Sequence, residues 1–264
     1  MKISEIMNKL YTVGEKSDYT RTCDTIKSGD PDNDTGKVAV AMFATPDVVK
    51  RASAWGAGLL IVHEPTYYNH WDNRSDEKIE CEKRKLIEDC GITIYRFHDH
   101  PHREEKDVIA QGMFGAFGLD GRVDYSDESG VIRIYLDKPV TPLQLAKQIE
   151  RNCGIKHLRI CGSRDGECRV IAGMFGTPSG VFEELKSDNS QIVLTGEACE
   201  WSLCEYARDA AQLGHTKALI IMGHEGSERD GMKLTAEMLK NMIPELEVKY
   251  IESGEVYTYT DSEE

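Results

Sequence analysis

The chain has 264 residues and a formal net charge of -14, enough length for two modest domains and the wrong sign for an electrostatic grip on nucleic-acid phosphates. No apolar run approaches the roughly 18 residues of a bilayer span, and the N-terminus lacks a basic stretch followed by an apolar one. These features predict a soluble, cytoplasmic protein with neither nucleic acid nor membrane as partner, whose eight cysteines, none in a CxxC pair, are reduced and mostly packing residues.

In chain order, residues 1–12 read as a short amphipathic helix with Ile3, Ile6, Met7 and Leu10 on one side. Ser17 to Gly36 is polar and broken by Gly29, Pro31 and Gly36, the signature of a long loop. Val38 to Phe43 is a strand, Thr45 an N-cap and Pro46 the first residue of a helix running to about Gly56. The apolar run Leu59 to Val62 is a buried strand that ends on His63 and Glu64, with Pro65 forbidding a continued ladder. A helix follows from near Asp76 to Cys90, stopped by Gly91, then a strand from Ile94 towards His98 and a helix over 103–117. Beyond it come a strand over Val131 to Leu136, a helix over Thr141 to Cys153 and a strand over Lys156 to Cys161. The remaining helices are placed at Trp201 to Gly214 and at 228–242, and Asp261 to Glu264 is a solvated acidic tail.

The chain also repeats itself. Val38 to Pro46 recurs as Val170 to Pro178, each reading as strand, N-cap Thr and first-turn Pro. Leu59 to Glu64 matches Ile192 to Glu197, and Ile94 to His98 matches Ile220 to His224, so that His98-x-x-x-His102 falls on His224-x-x-x-Glu228. Alternating strands and helices in both halves predict an α/β fold, internally duplicated, with mixed sheets covered by helices. The expected domains are 1–125 and 126–264.

Duplicated units commonly pack about a pseudo-twofold axis that brings equivalent strand ends together. On that expectation His63, Glu64, His98, His102, His224 and Glu228 form one site at the domain interface. Imidazoles and carboxylates are the N/O ligand set of a two-metal centre. Glu197, opposite Glu64 in the repeat, is a candidate general base or a carboxylate supporting a ligand. Tyr67, Tyr68, His70 and Trp71 are candidates for a substrate-stacking wall or for packing. His157 and His215 lie outside the motifs and read as structural.

The segments Leu60-Ile-Val-His63-Glu64-Pro65, His98-x-x-x-His102, Leu194-Thr-Gly-Glu197 and Gly223-His-Glu-Gly-Ser-Glu228 resemble the Nif-three-like family, whose members are known as dinuclear metal centre proteins or GTP cyclohydrolase I type 2 homologues. Most members carry His-His-Pro and His-x-x-x-Asp where this chain has His63-Glu64-Pro65 and His98-x-x-x-His102, an exchange that keeps both ligand types and swaps their places. The resemblance implies two interlinked α/β domains, a pair of divalent metal ions (Zn, Fe, Mn or Ni) between them, and a homo-oligomer, often a hexamer. It suggests a hydrolase acting on a small molecule. Nothing in the residues selects GTP, because there is no GxxxxGK[ST] loop and Gly112, Gly115 and Gly118 lack the dinucleotide-binding spacing. Two classes of function stay open: a metal-dependent hydrolase, and a non-catalytic scaffold that stores, delivers or senses metal.

Overall fold

In the computed structural model of the protein, the described residues are 1–14, 21–127 and 129–260. They form a mixed α/β fold with two mixed sheets, assigned to two compact units. The acidic tail and the start of the long loop, 17–20, lie outside the described residues.

The first unit comprises Met1–Ile109 and Gly231–Gly254. Its elements are α1 (Ile3–Leu10), β1 (Ile26–Ser28), β2 (Lys37–Ala41), α2 (Pro46–Trp55), β3 (Leu59–Val62), α3 (Lys78–Cys90), β4 (Thr93–Arg96), α4 (Asp99–His102) and the start of α5 (Val108–Phe117). The latter part of α9 (His224–Met242) and β11 (Glu247–Tyr250) complete it. The sheet order is β1-β4-β3-β2-β11, with β4, β3, β2 and β11 parallel and β1 antiparallel at the edge.

Side chains in these strands alternate between two buried layers, as the period of two requires. Val38, Val40, Leu59, Ile61 and Tyr95 pack with α1 and with Met232, Ala236 and Leu239 of α9. Ala39, Ala41, Leu60, Val62 and Ile94 pack with Val48, Val49 and Ala52 of α2 and Ile87 of α3. Helical cover on both faces is what lets β3 be apolar at every position. The Thr45 side chain accepts from Val48 N at the start of α2, and Gly56, at φ 88°, ends it in a left-handed conformation that costs glycine little.

The second unit comprises Ala110–Asp230 and Glu255–Glu264. It holds the rest of α5, β5 (Gly121–Asp124), β6 (Ile132–Val140), α6 (Pro142–Cys153), β7 (Arg159–Gly162), β8 (Cys168–Met174), α7 (Val181–Lys186), β9 (Ile192–Thr195), a π-helical turn (Glu200–Cys204), α8 (Glu205–Gln212), β10 (Ala218–Ile221) and the start of α9. Its sheet runs β5-β6-β8-β9-β10-β7, with β8, β9 and β10 parallel and the other pairs antiparallel. Ile171, Ile192, Leu194 and Ile220 face α5 and α6 side chains, while Ala172, Val193 and Leu219 face α7 and α8.

Several expectations need correction. The units are not contiguous at a boundary of 125/126, because β11 pairs in parallel with β2, Val248 against Val38, and so belongs to the first sheet. The polar segment before Gly36 contains β1, whose Ile26 pairs with Tyr95. The helix placed at 103–117 begins at Val108, with the short α4 ahead of it, and the helix placed at 228–242 begins at His224. The strand placed at Lys156 to Cys161 is confined to Arg159–Gly162, and the helix at Trp201 to Gly214 starts as a π-helical turn. All eight cysteines are free thiols.

Candidate metal centre

Four of the sequence-predicted ligands, His63, Glu64, His98 and His102, come together at the C-terminal ends of β3 and β4. This is where parallel α/β sheets place their sites. His63 follows β3 directly, and its backbone N–H and that of Glu64 both donate to the Met42 carbonyl, at 3.1 and 3.0 Å. His98 follows β4 and opens α4, which carries His102 at its end.

Asp24, fully buried, holds this turn in place. Its Oδ1 accepts the backbone N–H groups of His98 and Asp99 at 2.8 and 2.9 Å, and its Oδ2 accepts those of the His100 backbone, at 2.9 Å, and side chain. Burial raises the Asp24 pKa, but the hydrogen bonds from His100, Asp99 and His98 outweigh it and hold the carboxyl below its ordinary range.

Hydrogen bonds fix which nitrogen each imidazole offers. His63 Nδ1 lies 3.2 Å from the Phe97 carbonyl, which can only accept, so Nδ1 carries the proton and Nε2 a lone pair. His102 Nδ1 is 2.8 Å from Asp107 Oδ2 and His98 Nδ1 is 3.0 Å from Asp99 Oδ1, the carboxylate–imidazole arrangement that supports metal-bound histidines. His63 Nε2 and His102 Nε2 then face each other at 3.2 Å. Two lone pairs at that distance repel unless a proton or a cation lies between them.

Burial, reinforced by the neighbouring imidazoles of His98 and His102, keeps the His63 pKa well below its usual value, so the ring is neutral and available as a ligand. Glu64 Oε1 lies 4.0 Å from the Nε2 atoms of both His63 and His98. Its Oε2 is 3.8 Å from the buried Arg96 guanidinium, whose Nε donates to the His63 carbonyl at 2.9 Å. The ligand atoms of His63, His98 and His102 all lie within 4.8 Å of one another, a spacing that can hold a metal ion.

In the second unit, His224 and Glu228 sit one turn apart on α9, with His224 Nε2 3.3 Å from Glu228 Oε2. Glu197, at the end of β9, places Oε1 2.6 Å from His224 Nδ1. Glu197 thus has an imidazole against it and is placed to orient the His224 ring. Glu228 is buried, within the second turn of α9. Room for it is made by Gly176, where φ is 65° and a Cβ would stand 2.5 Å from Glu228 Oε1.

The aromatic segment after β3 divides. Tyr67 is buried among the residues of α2 and α3 and belongs to the core. Tyr68 is 65% exposed and Trp71 37% exposed, with the Arg21 guanidinium 3.7 Å from the Trp71 ring centroid. The His70 ring is 4.6 Å from that of Trp71 and 6.1 Å from that of His98. Partial burial, then the Arg96 charge, lowers the His70 pKa. Tyr68 and Asp72 adopt positive φ, 60° and 54°, backbone conformations that surrounding structure must impose. The Asp72 carboxylate accepts from Tyr67 N at 2.7 Å, and Arg96 donates to the His70 carbonyl.

Sequence reasoning missed Asp24, Asp99, Asp107 and Arg96, which hold in place residues that could bind an ion. Only Asp99 and Asp107, close in sequence to His98 and His102, left a local signal.

Comparison with known proteins covers almost the whole chain. The profile of a family described as Duf34/NIF3 (NGG1p interacting factor 3) matches residues 1–256. A protein of Clostridium perfringens named GTP cyclohydrolase 1 type 2 homolog is 22% identical over 263 residues, covering 97% of each chain. A Halobacterium salinarum protein of the same name is 21% identical over 243 residues, covering 88% of this chain and 91% of its own. Among solved structures, a Bacillus cereus protein related to NIF3 superposes with a TM-score of 0.75 at 14% identity, covering 99% of both chains.

Proposed function

The chain belongs to the Duf34/NIF3 family, and from that premise we propose that it is a dinuclear divalent-metal protein that hydrolyses a small anionic or heterocyclic molecule. The observation that carries the metal reading is the cluster of His63, His98 and His102, whose ligand atoms all lie within 4.8 Å of one another, with the two Nε2 atoms of His63 and His102 facing at 3.2 Å. His63, Glu64, His98 and His102 would hold the pair of ions together with His224 and Glu228, the set expected from the repeat in the sequence. When bound, two such cations would make a water molecule more acidic and polarise the bond under attack.

This chain's own residues supply the remaining parts. Asp107, Asp99 and Glu197 fix the orientation of His102, His98 and His224. His70, with its lowered pKa, is neutral near pH 7 and can take up a proton beside His98. Trp71 and Arg21 offer an aromatic face and a positive charge to a planar anion. GTP is the first compound to try, by the names of the relatives. Internal duplication and a homo-oligomeric state, hexameric by family resemblance, are part of the same proposal, and light scattering tests the latter.

Replacement of Glu228 by Gln tests the shared centre. An amide is a poor ligand and cannot bridge as a carboxylate does, so the purified variant should bind less metal than wild type with an unchanged circular dichroism spectrum. Wild-type metal content in Glu228→Gln would remove that residue from the site.

A further inference from the structure

Beside the all-N/O cluster, a sulfur enters. Cys23 is 1% exposed, and its Sγ lies 3.4 Å from Asp99 Oδ1, the same oxygen that receives His98 Nδ1 at 3.0 Å. The other Asp99 oxygen is occupied: Oδ2 accepts from Thr22 Oγ1 at 2.8 Å and from Cys23 N at 3.2 Å. That clamp turns Oδ1 towards the thiol and the imidazole. Ligand atoms of Cys23, His98 and Asp99 all lie within 4.8 Å of one another, and Asp24 Oδ1 stands 3.7 Å from the sulfur as a further negative group. The thiol therefore has two carboxylate oxygens as acceptors, Asp99 Oδ1 and Asp24 Oδ1, and shares the first with His98 Nδ1.

We propose that Cys23 Sγ, Asp99 Oδ1 and His98 Nδ1 form a separate, sulfur-containing seat for one borderline-soft divalent cation such as zinc. One thiolate, one imidazole and one carboxylate is an N/O/S set within the range zinc accepts, with a fourth position left for water. Thiolate selects against hard ions such as magnesium and manganese, which the neighbouring carboxylate and imidazole cluster tolerates better. Binding releases the thiol proton to solvent and moves the ring proton of His98 from Nδ1 to Nε2. His98 therefore serves either this seat through Nδ1 or the N/O cluster through Nε2, and the two uses alternate.

The test is cobalt(II) titration of the metal-stripped full-length protein in the presence of a phosphine reductant. Wild type should develop a near-ultraviolet thiolate-to-cobalt charge-transfer band that saturates at one cobalt per chain. Cys23→Ser should lose the band while keeping the visible absorption of cobalt at nitrogen and oxygen ligands. Asp99→Asn, which keeps the sulfur, should shift the band's midpoint to cobalt concentrations about 10-fold higher or more, and Cys161→Ser should leave the band unchanged. A band undiminished in Cys23→Ser, or absent from wild type while visible cobalt absorption appears, would overturn the seat and leave the N/O centre standing. No cobalt absorption of either kind would overturn both.

Discussion

At the scale of single residues, what distinguishes His63, His98, His102 and His224 from histidines that merely end strands is the fate of each Nδ1. The Phe97 carbonyl, Asp99, Asp107 and Glu197 each engage one ring, which fixes the orientation of all four imidazoles. Asp107→Asn should weaken metal binding about 10- to 100-fold, the usual cost of losing such a partner, with secondary structure intact; equilibrium dialysis against zinc measures it, and wild-type affinity would contradict the role given to Asp107. A second prediction concerns Lys83, whose Nζ donates to the Thr66 carbonyl at 2.7 Å. Burial pushes its ammonium down to about 8, with Asp72 opposing. Between that value and the ordinary one near 10.4, the unfolded chain holds a proton that the folded chain has released. Stability attributable to this group therefore rises with pH across that window and is flat below it. Urea unfolding at about pH 7.5 and about pH 9.5 should show wild type gaining about 1–2 kcal/mol relative to Lys83→Met; an equal change in both proteins would sink the assignment. The candidates His63 and Glu64 could be picked out in the sequence because polar residues directly after an apolar strand are a local pattern. Asp24 could not, because it reaches His98 to His100 from a distant loop and no spacing announces that contact.

At the scale of elements, α9 shows where local reading gave way. Gly223-His-Glu-Gly-Ser-Glu228 looks like a loop, with two glycines and a serine, yet the helix starts at His224. Helical spacing then places His224 and Glu228 on one face, a relation the motif spacing contained and a helix start placed at 228 hid. The approach of Glu228 to Gly176 depends on a bare Cα there. Gly176→Ala combines a positive φ with a clash against the carboxylate and should cost about 1 kcal/mol or more in stability, with weaker metal binding; calorimetry and dialysis read the two effects, and a variant wild-type in both would refute the packing argument. Each sheet has three consecutive parallel neighbours, β2, β3, β4 in one and β8, β9, β10 in the other. Their ladders do not follow the register of the motif match. Matching Leu59 with Ile192 makes their ladder partners, Val38 and Ile171, correspond, and likewise Thr93 and Ala218. The motif match had set Val38 against Val170 and Ile94 against Ile220, one residue away in each strand. Such a slip exchanges the two faces of a strand, and Ile94 accordingly shares its layer type with Leu219, both packing beneath the helices that follow β2 and β3 or β8 and β9.

At the scale of the whole molecule, composition constrained less than pattern did. A net charge of -14 favours cations over nucleic-acid phosphates, and among the described residues no helix is long and apolar enough to cross a membrane. The return of β11 to the first sheet escaped notice because Glu247–Tyr250 is short and half polar, its pairing decided by the open edge of β2 rather than by its own sequence. What the proposed function requires is that His63, Glu64, His98, His102, His224 and Glu228 hold one pair of ions. Anomalous diffraction at the manganese edge, from crystals of protein reconstituted with manganese, tests it most directly, since that hard ion avoids the sulfur seat. Two peaks are predicted about 3.5–4 Å apart, bonded between them to His63, Glu64, His98, His102, His224 and Glu228. A single peak bonded to only one of the two sets, or density with no bond to His63 and His102, would contradict it.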